Sequence, residues 1–341
     1  MDALRHGWPL ALEGAGLLLP VETAVARGAT SERLLISAAR AATFKLANQR
    51  EAAVPHAPVL IRGAEPFDLD LATAVADPAL DLNNPLKGPF RAEPLDWGRA
   101  AAAALELARL AGILPAFMVA PDGAGEAQPV APSDLAAWAD PSLLTIATRA
   151  RLPVVASEEG ELVVFRKPDD TREHCALIIG QQMAGTVPLV RLHSECLTGD
   201  ILGSLKCDCG PQLDAALQQM AEQAAGGGYG VLLYLRQEGR GIGLINKMRA
   251  YRLQDQGFDT IEANERLGLP DEARDFITAS QMLRLLGIGE VALLTNNERK
   301  VRALEEQGII VARRVEHAHG SNRHNRRYLA TKRDRAGHIL P

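Results

Sequence analysis

Hydrophobic positions follow two different rhythms along this chain. Up to about residue 148 they come in Ala- and Leu-rich runs with few polar clusters. Two of these runs predict helices, Ser31 to Asn48 and Asp96 to Leu110. The second, RAAAAALELARLAG, stops on Gly112, the residue a helix C-cap favours. Between them, AEPFDLDLATAVADPALDLNNPLKGPF is rich in Pro and Asp and reads as turns and short elements. The stretch PDGAGEAQPVAPSD (121–134) is turn-rich, with a further helix expected from its Ser133 cap.

From about Leu152 short strands alternate with short helices. ELVVF, ALIIG and Val187 to Leu192 read as strands. Pro211 opens an amphipathic helix, QLDAALQQMAEQAA, that runs out at Gly226, Gly227 and Gly228. The continuous apolar run VLLYLR (231–236) predicts a buried strand, followed by the loop EGRGIG. Next come a helix from Asn246 to Gln256 that stops at Gly257, then helix 276–286, strand 291–295, helix 298–307 and strand 309–315. The tail after Val315 is basic and polar and is expected to wrap the surface. The alternation predicts an α/β fold: a C-terminal sheet flanked by helices (149–341), with a separate N-terminal α+β domain (1–148). Ligands of such sheets gather at the C-terminal ends of strands, where Glu238, Gly239, Arg240 and Thr295-Asn296-Asn297 fall.

Composition narrows the function classes. The 341 residues suffice for two ordinary domains, and 47% hydrophobic with 23% charged residues fits a globular protein. A net charge of −5 gives no reason to expect a nucleic-acid partner. The N-terminus has a short apolar run but carries Asp2 and Glu13 and lacks a basic region before a cleavage site, so no signal peptide is expected. No run reaches the roughly 18 apolar residues of a membrane span, so a membrane partner is not expected and a cytoplasmic location is.

The four cysteines are too sparse for a disulfide scaffold. Three of them, Cys196, Cys207 and Cys209, crowd into HSECLTGDILGSLKCDCG. Cysteines at i and i+2 reach a common centre only from a bent backbone, and Gly210 after Asp208 suits such a bend. A fourth thiolate would close a structural zinc site, whereas three protein ligands leave a position for water, which zinc makes nucleophilic near neutral pH. His193 is a further candidate ligand, three residues before Cys196. Spacing alone favours a metal over incidental cysteines and leaves catalysis undecided.

The segments RLHSECLTGD-x3-SLKCDCG-x-QL, YLRQEGRGIGLINKMRAYRLQDQG-x-DT-x-EAN, LG-x4-ARDF and LLTNN-x-RKV resemble GTP cyclohydrolase II of riboflavin biosynthesis, from about Leu152 to the end. The resemblance implies a C-terminal mixed sheet, GTP as substrate, one Zn2+ per chain, Mg2+ with the triphosphate, and a homodimer. It makes Cys196, Cys207 and Cys209 the zinc ligands and places Arg191, His193, Ser194 and Glu195 along the nucleotide. Gln212 and Glu238 match base- or nucleotide-contacting positions; a carboxylate can accept from guanine N1–H and the 2-amino group together. Gly239, Arg240, Thr260, Thr295 and Lys300 match the triphosphate cradle, and Tyr251 a tyrosine near the metal. Arg274 matches an arginine acting at the α-phosphate, where stabilisation suits a guanidinium better than nucleophilic attack.

Two departures stand out. The family's acid partner two residues before that arginine is usually Asp, here Glu272; Asp271 fits only with a one-residue slip. Many members have Pro where Glu298 stands. The N-terminal half faintly resembles 3,4-dihydroxy-2-butanone-4-phosphate synthase, yet residues 31–70 lack its acidic run. Its Gly-His-Thr is replaced by Asp96, Trp97 and Gly98, so a degenerate, non-catalytic domain is expected. Two other readings of the chain remain beside GTP cyclohydrolase II. One is a relative acting on GTP or another ring in a side pathway; the other is a non-enzymatic GTP-binding regulator with structural zinc.

Overall fold

A computed structural model describes residues 1–122, 127–168, 170–183, 185–270, 272–335 and 339. The chain groups into two units, one of Met1–Ala139 with Ile242–Glu272, the other of Asp140–Gly241 with Ala273–Pro341. Among the described residues no helix is long and apolar enough to cross a membrane.

The first unit holds strands β1 (Leu10–Leu12), β2 (Gly16–Pro20), β3 (Ser31–Ile36), β4 (Val59–Phe67), β5 (Arg91–Glu93), β6 (Ala116–Val119) and β7 (Gln128–Val130). They form one sheet in the order β5-β4-β3-β6-β2-β1-β7, antiparallel except where β1 meets β7. The helix Gly98–Ala111 forms as its Ala- and Leu-rich sequence predicts, and Gly112 closes it with φ 78°. It buries Ala100, Ala104, Leu107 and Ala108 against Leu18, Leu35, Leu60 and Phe117. The helix expected near Ser133 spans Pro132–Ala139, while residues 123–126 of the turn-rich stretch lie outside the described residues.

The helix expected over Ser31 to Asn48 is largely a strand. Ser31–Ile36 is β3, Ser37 caps a short helix, Ala38–Thr43, and only a 3-10 turn, Leu46–Asn48, follows. The run Leu34-Leu35-Ile36 is wholly buried. A continuous apolar run satisfies a doubly covered strand and a buried helix equally well, so its period decides nothing.

The second unit holds β8 (Thr145–Arg151), β9 (Gly160–Arg166), β10 (His174–Ile179), β11 (Leu189–Ser194), β12 (Gly230–Leu235), β13 (Glu290–Leu294) and β14 (Ile310–Val315). Their order is β14-β13-β11-β12-β10-β9-β8, parallel from β14 to β12 and antiparallel from there to β8, a mixed sheet. Side chains alternate between its two faces. Val190, Leu192, Val231, Leu233, Val291 and Leu293 pack under the helix Ile277–Leu285. Leu189, Leu232, Ala292 and Leu294 pack on the other face against Ala216 and Met220 of the helix Cys209–Ala225. Arg191, His193 and Tyr234 follow the second set in register. That face and the C-terminal ends of β11, β12 and β13 frame the site.

In the first unit, Arg40 is buried and its guanidinium grips Asp81 through two bonds of 2.7 and 2.6 Å. Lys87 donates to the same carboxylate and to the Ala74 carbonyl. Burial pushes Asp81 up, but Arg40 and Lys87 outweigh it and hold the carboxyl below its ordinary range. Its contribution is therefore complete above the ordinary carboxylate pKa and is lost as pH falls through the depressed value. Asp81→Asn should strand two buried cations and cost the unit about 3 kcal/mol at pH 7, read from its denaturant midpoint. An unchanged midpoint would contradict the assigned role.

Candidate metal centre and nucleotide site

Strand β11 delivers Cys196 at the end of the sheet. The chain then makes one wide turn, Leu197–Ile201, in which the Gly199 and Asp200 amides both donate to the Cys196 carbonyl (3.0 and 2.7 Å). Wide turns of this kind recur at functional sites. A loop returns to Cys207, and Cys209 is the first residue of the helix Cys209–Ala225, where the helix dipole favours a thiolate.

The Sγ atoms of Cys196, Cys207 and Cys209 lie within 4.8 Å of one another, and Cys196 and Cys207 are 3.7 Å apart. Zinc–sulfur bonds of about 2.3 Å at tetrahedral angles put sulfurs about 3.8 Å apart, so the pair already has the edge length of a zinc site. The backbone is shaped around the sulfurs. A Cβ on Gly199 would sit 2.8 Å from Cys207 Sγ and 3.1 Å from Cys196 Sγ, so glycine is required there. Among the described residues three soft donors stand together without a fourth, which fits zinc with one position left over. Without a cation the Cys207 and Cys209 thiols stay protonated. Cys209 is pushed well above its ordinary range by Cys196, then Cys207, then burial, and Cys207 is raised chiefly by Cys196.

One carboxylate braces the first ligand. Asp200 accepts from the Cys196 amide (3.0 Å), the Tyr234 hydroxyl (2.9 Å) and His193 Nε2 (3.0 Å). His193 and Tyr234 are register partners on β11 and β12 and stack with centroids 5.6 Å apart. Burial lowers the His193 pKa against the pull of Asp200, so the ring is neutral at pH 7 and donates through Nε2. Its Nδ1 is buried with no protein partner, and among the described residues the metal-ligand group comprises the three cysteines alone.

The other candidate residues of this unit surround that core. Arg191 donates to the Leu294 carbonyl (3.0 Å) and to Gln212 Oε1 (2.5 Å), while its Nε is buried without a partner. Burial lowers its pKa to about 10, which leaves it charged at neutral pH. Gln212 also donates to Asp208 (2.6 Å), so its amide ties the strand to the start of the helix. Ser194 Oγ is buried and unpartnered, and Glu195 pairs with Arg236 at 2.9 Å. Glu238 accepts from the amides of Leu197 (2.7 Å) and Gly239 (2.8 Å), which links the end of β12 to the turn after Cys196.

Gly239 and Arg240 both take left-handed conformations (φ 63° and 60°). For Arg240 that costs about 1–2 kcal/mol, and its carbonyl accepts from the Ala273 amide at 3.1 Å. The following residue, Arg274, lies 5.1 Å from the Phe276 ring, and Lys300 lies 5.6 Å from the same ring. Lys300 also donates to the Leu192 carbonyl (2.6 Å), and Arg274 is near enough to Arg191 to oppose its charge. Cations are thus gathered beside the strand ends, a field that suits an anion. Thr295 accepts from the Asn297 amide at 3.0 Å.

Tyr251 and Thr260 lie on the helices Leu244–Asp255 and Thr260–Arg266 of the first unit, whose described part ends at Glu272. Tyr251 has the Lys247 ammonium 5.9 Å from its ring, and Thr260 accepts from Gln254 at 3.3 Å. Asp271 lies outside the described residues. Sequence reasoning missed Asp200 and Tyr234. Their only signal was a polar residue inside HSECLTGD and a lone hydroxyl in VLLYLR.

Residues 145–316, half of the chain, match the family model described as GTP cyclohydrolase II. The chain is 44% identical over 284 residues to a GTP cyclohydrolase-2 of Azospirillum brasilense, covering 80% of this chain and 73% of that one. It is 56% identical over 176 residues to a GTP cyclohydrolase-2 of Pseudomonas aeruginosa (strain UCBPP-PA14), covering 52% of this chain and 84% of that one. It is 54% identical over 172 residues to the riboflavin biosynthesis protein RibBA of Bacillus subtilis (strain 168), covering 50% and 42%.

Outer residues that orient metal ligands are typically worth about 10–100-fold in metal affinity. Asp200→Asn should therefore weaken zinc binding by about tenfold or more, measured by competition with a chelator of known affinity. Wild-type affinity in the variant would show that Asp200 does not brace Cys196.

Proposed function

The chain belongs to the GTP cyclohydrolase II family, and from that membership we propose that it hydrolyses GTP to 2,5-diamino-6-(5-phosphoribosylamino)pyrimidin-4(3H)-one, formate and pyrophosphate, the first step of riboflavin biosynthesis. The observation that supports this most is the cluster of three sulfurs within 4.8 Å, set where β11 and β12 end beside Arg191, Arg274 and Lys300. One water must add at C8 of guanine with cleavage of C8–N9, and a second water at the same carbon, with cleavage of C8–N7, releases formate. A further water cleaves between the α- and β-phosphates. A zinc ion held by Cys196, Cys207 and Cys209 would supply Lewis acidity and one position open to water.

The roles of the remaining residues follow from their chemistry and their matched positions. Glu238 orients guanine, as its matched position implies, because a carboxylate can accept from N1–H and the 2-amino group together. Gln212 keeps one N–H for the nucleotide while its carbonyl aims Arg191. The RLHSE segment, with Arg191, His193, Ser194 and Glu195, lines the nucleotide, and the buried free atoms of Arg191, His193 and Ser194 support that role. Gly239, Arg240, Thr260, Thr295 and Lys300 hold the triphosphate. Arg274 stabilises charge at the α-phosphate rather than attacking it. Tyr251 orients the attacked ring, and Glu272 takes the proton that an Asp usually takes.

Mg2+ suits the triphosphate oxygens. A reducing cytoplasm suits three free thiols. A homodimer rests on the family resemblance. Residues 149–341 carry the chemistry. Residues 1–148 are a degenerate dihydroxybutanone-phosphate-synthase-like domain without catalysis, in keeping with Asp96, Trp97 and Gly98 at the Gly-His-Thr positions. The Azospirillum match also spans more residues than follow Leu144, so it extends into this half, and that relative bears the cyclohydrolase name alone.

The direct test gives zinc-replete protein GTP and Mg2+ in one reaction and ribulose 5-phosphate and Mg2+ in another, with products followed by mass. Formate and pyrophosphate should appear from GTP and vanish in Cys196→Ser, and ribulose 5-phosphate should remain unchanged. GTP left intact would overturn the cyclohydrolase reading, and conversion of the sugar phosphate would overturn the reading of residues 1–148. Glu272→Asp should raise the rate where the longer side chain misplaces the carboxylate, since about 1 Å can be worth on the order of 100-fold.

A further inference from the structure

The chain beyond Val315 reads as a polar surface tail, yet two of its side chains are fully buried, His317 at 1% exposure and Asn325 at 0%. Both point back to the second half of the metal centre. The His317 amide donates to Asn296 Oδ1 at 2.9 Å, and its Nε2 donates to the Gln212 carbonyl at 2.7 Å. Gly320 passes so close to the start of the helix Cys209–Ala225 that a Cβ there would meet Pro211 Cβ at 2.9 Å, and its φ of +80° also favours glycine. Asn325 donates from Nδ2 to the Cys207 carbonyl (3.2 Å) and to the Gly320 carbonyl (2.6 Å). Asn322 and Asn325 then lock each other, each backbone amide donating to the other's Oδ1 (2.8 and 3.2 Å).

We infer that His317–Asn325 is a strap that positions the Cys207–Cys209 half of the metal centre, with Asn325 as its positioning residue. The inference rests on the zinc reading of the three cysteines. The two halves of the site are held differently. Cys196 lies two residues beyond the end of the central strand β11 and is braced by Asp200. Cys207 follows a loop of ten residues from Cys196 and must be brought back to it. Ordering such a loop costs conformational entropy, and a buried strap meets part of that cost before any metal arrives. The geometry also accounts for the residue type. Only a carboxamide of this size accepts one amide through Oδ1 while offering two N–H groups to two carbonyls. Aspartate has the same shape and retains the acceptor, but it has nothing to donate.

The test uses full-length, zinc-loaded protein and measures the rate of zinc transfer to a chromogenic chelator, beside the melting temperature of the zinc-stripped protein. Asn325→Asp should release zinc about tenfold faster or more, the scale typical of residues that orient metal ligands. Gly320→Ala, which crowds the strap against Pro211 and leaves the Asn325 side chain in place, should also release zinc faster and keeps the question open to test where Asn325→Asp does not fold. Arg323→Ala, on the exposed side of the strap, should release it at the wild-type rate. Wild-type release rates in both Asn325→Asp and Gly320→Ala, with only the zinc-free melting temperature lowered, would show a merely structural strap and overturn the inference. Equal acceleration in Arg323→Ala would overturn it too. Wild-type protein that holds no zinc would instead overturn the metal reading on which the strap depends.

Discussion

Three thiols gathered within 4.8 Å cannot all ionise unless a cation sits among them, because each thiolate raises the cost of the next. That constraint organises the C-terminal unit. The protein must bring the sulfurs together against their mutual repulsion, keep water away from most of their surface, and leave one approach for a substrate. Parallel strands solve the first problem by ending side by side, so that residues far apart in sequence meet at one edge. Cys196 stands at the end of β11 and Glu238 three residues beyond the end of β12. The Glu238 carboxylate joins the two by accepting the Leu197 amide.

The second problem falls to residues that never touch the metal position. Asp200 gathers the Cys196 amide, a tyrosine hydroxyl and a neutral imidazole on one buried carboxylate. Gln212 ties Arg191 to Asp208, and Asn325 ties the far end of the chain to Cys207. Each is a short contact with a defined donor and acceptor, so the sulfurs are placed by the fold before a metal binds. Around this core, Arg191, Arg274 and Lys300 gather positive charge, and Arg240 accepts a strained backbone to take its place. Strain and like charge of this kind are costs, and they are tolerated where an anion relieves them.

Much of this was legible in the sequence, and for local reasons. VLLYLR, ELVVF and ALIIG are apolar runs bounded by turn residues, and each is a strand. Pro211 and the glycines after Ala225 punctuate a helix that starts only two residues earlier than its proline suggests. The cysteines were readable because the three lie within one short segment. What failed was non-local. Ser31–Ile36 is a strand because β4 and β6 pair with both its edges and Leu34, Leu35 and Ile36 are all buried, which a single run of apolar residues does not reveal. Tyr234 meets Asp200 across 34 residues of sequence, and Asn325 meets Cys207 across 118. No local pattern marks either pair, and the tail that reads as surface therefore holds part of the metal centre.

The central claim is that these three sulfurs hold one zinc ion with a position left for a light atom. X-ray absorption at the zinc edge of the purified, metal-loaded protein tests it directly. The account predicts three sulfur neighbours at about 2.3 Å and a single oxygen or nitrogen at about 2.0 Å. Four sulfurs, or a shell made of light atoms alone, would contradict it.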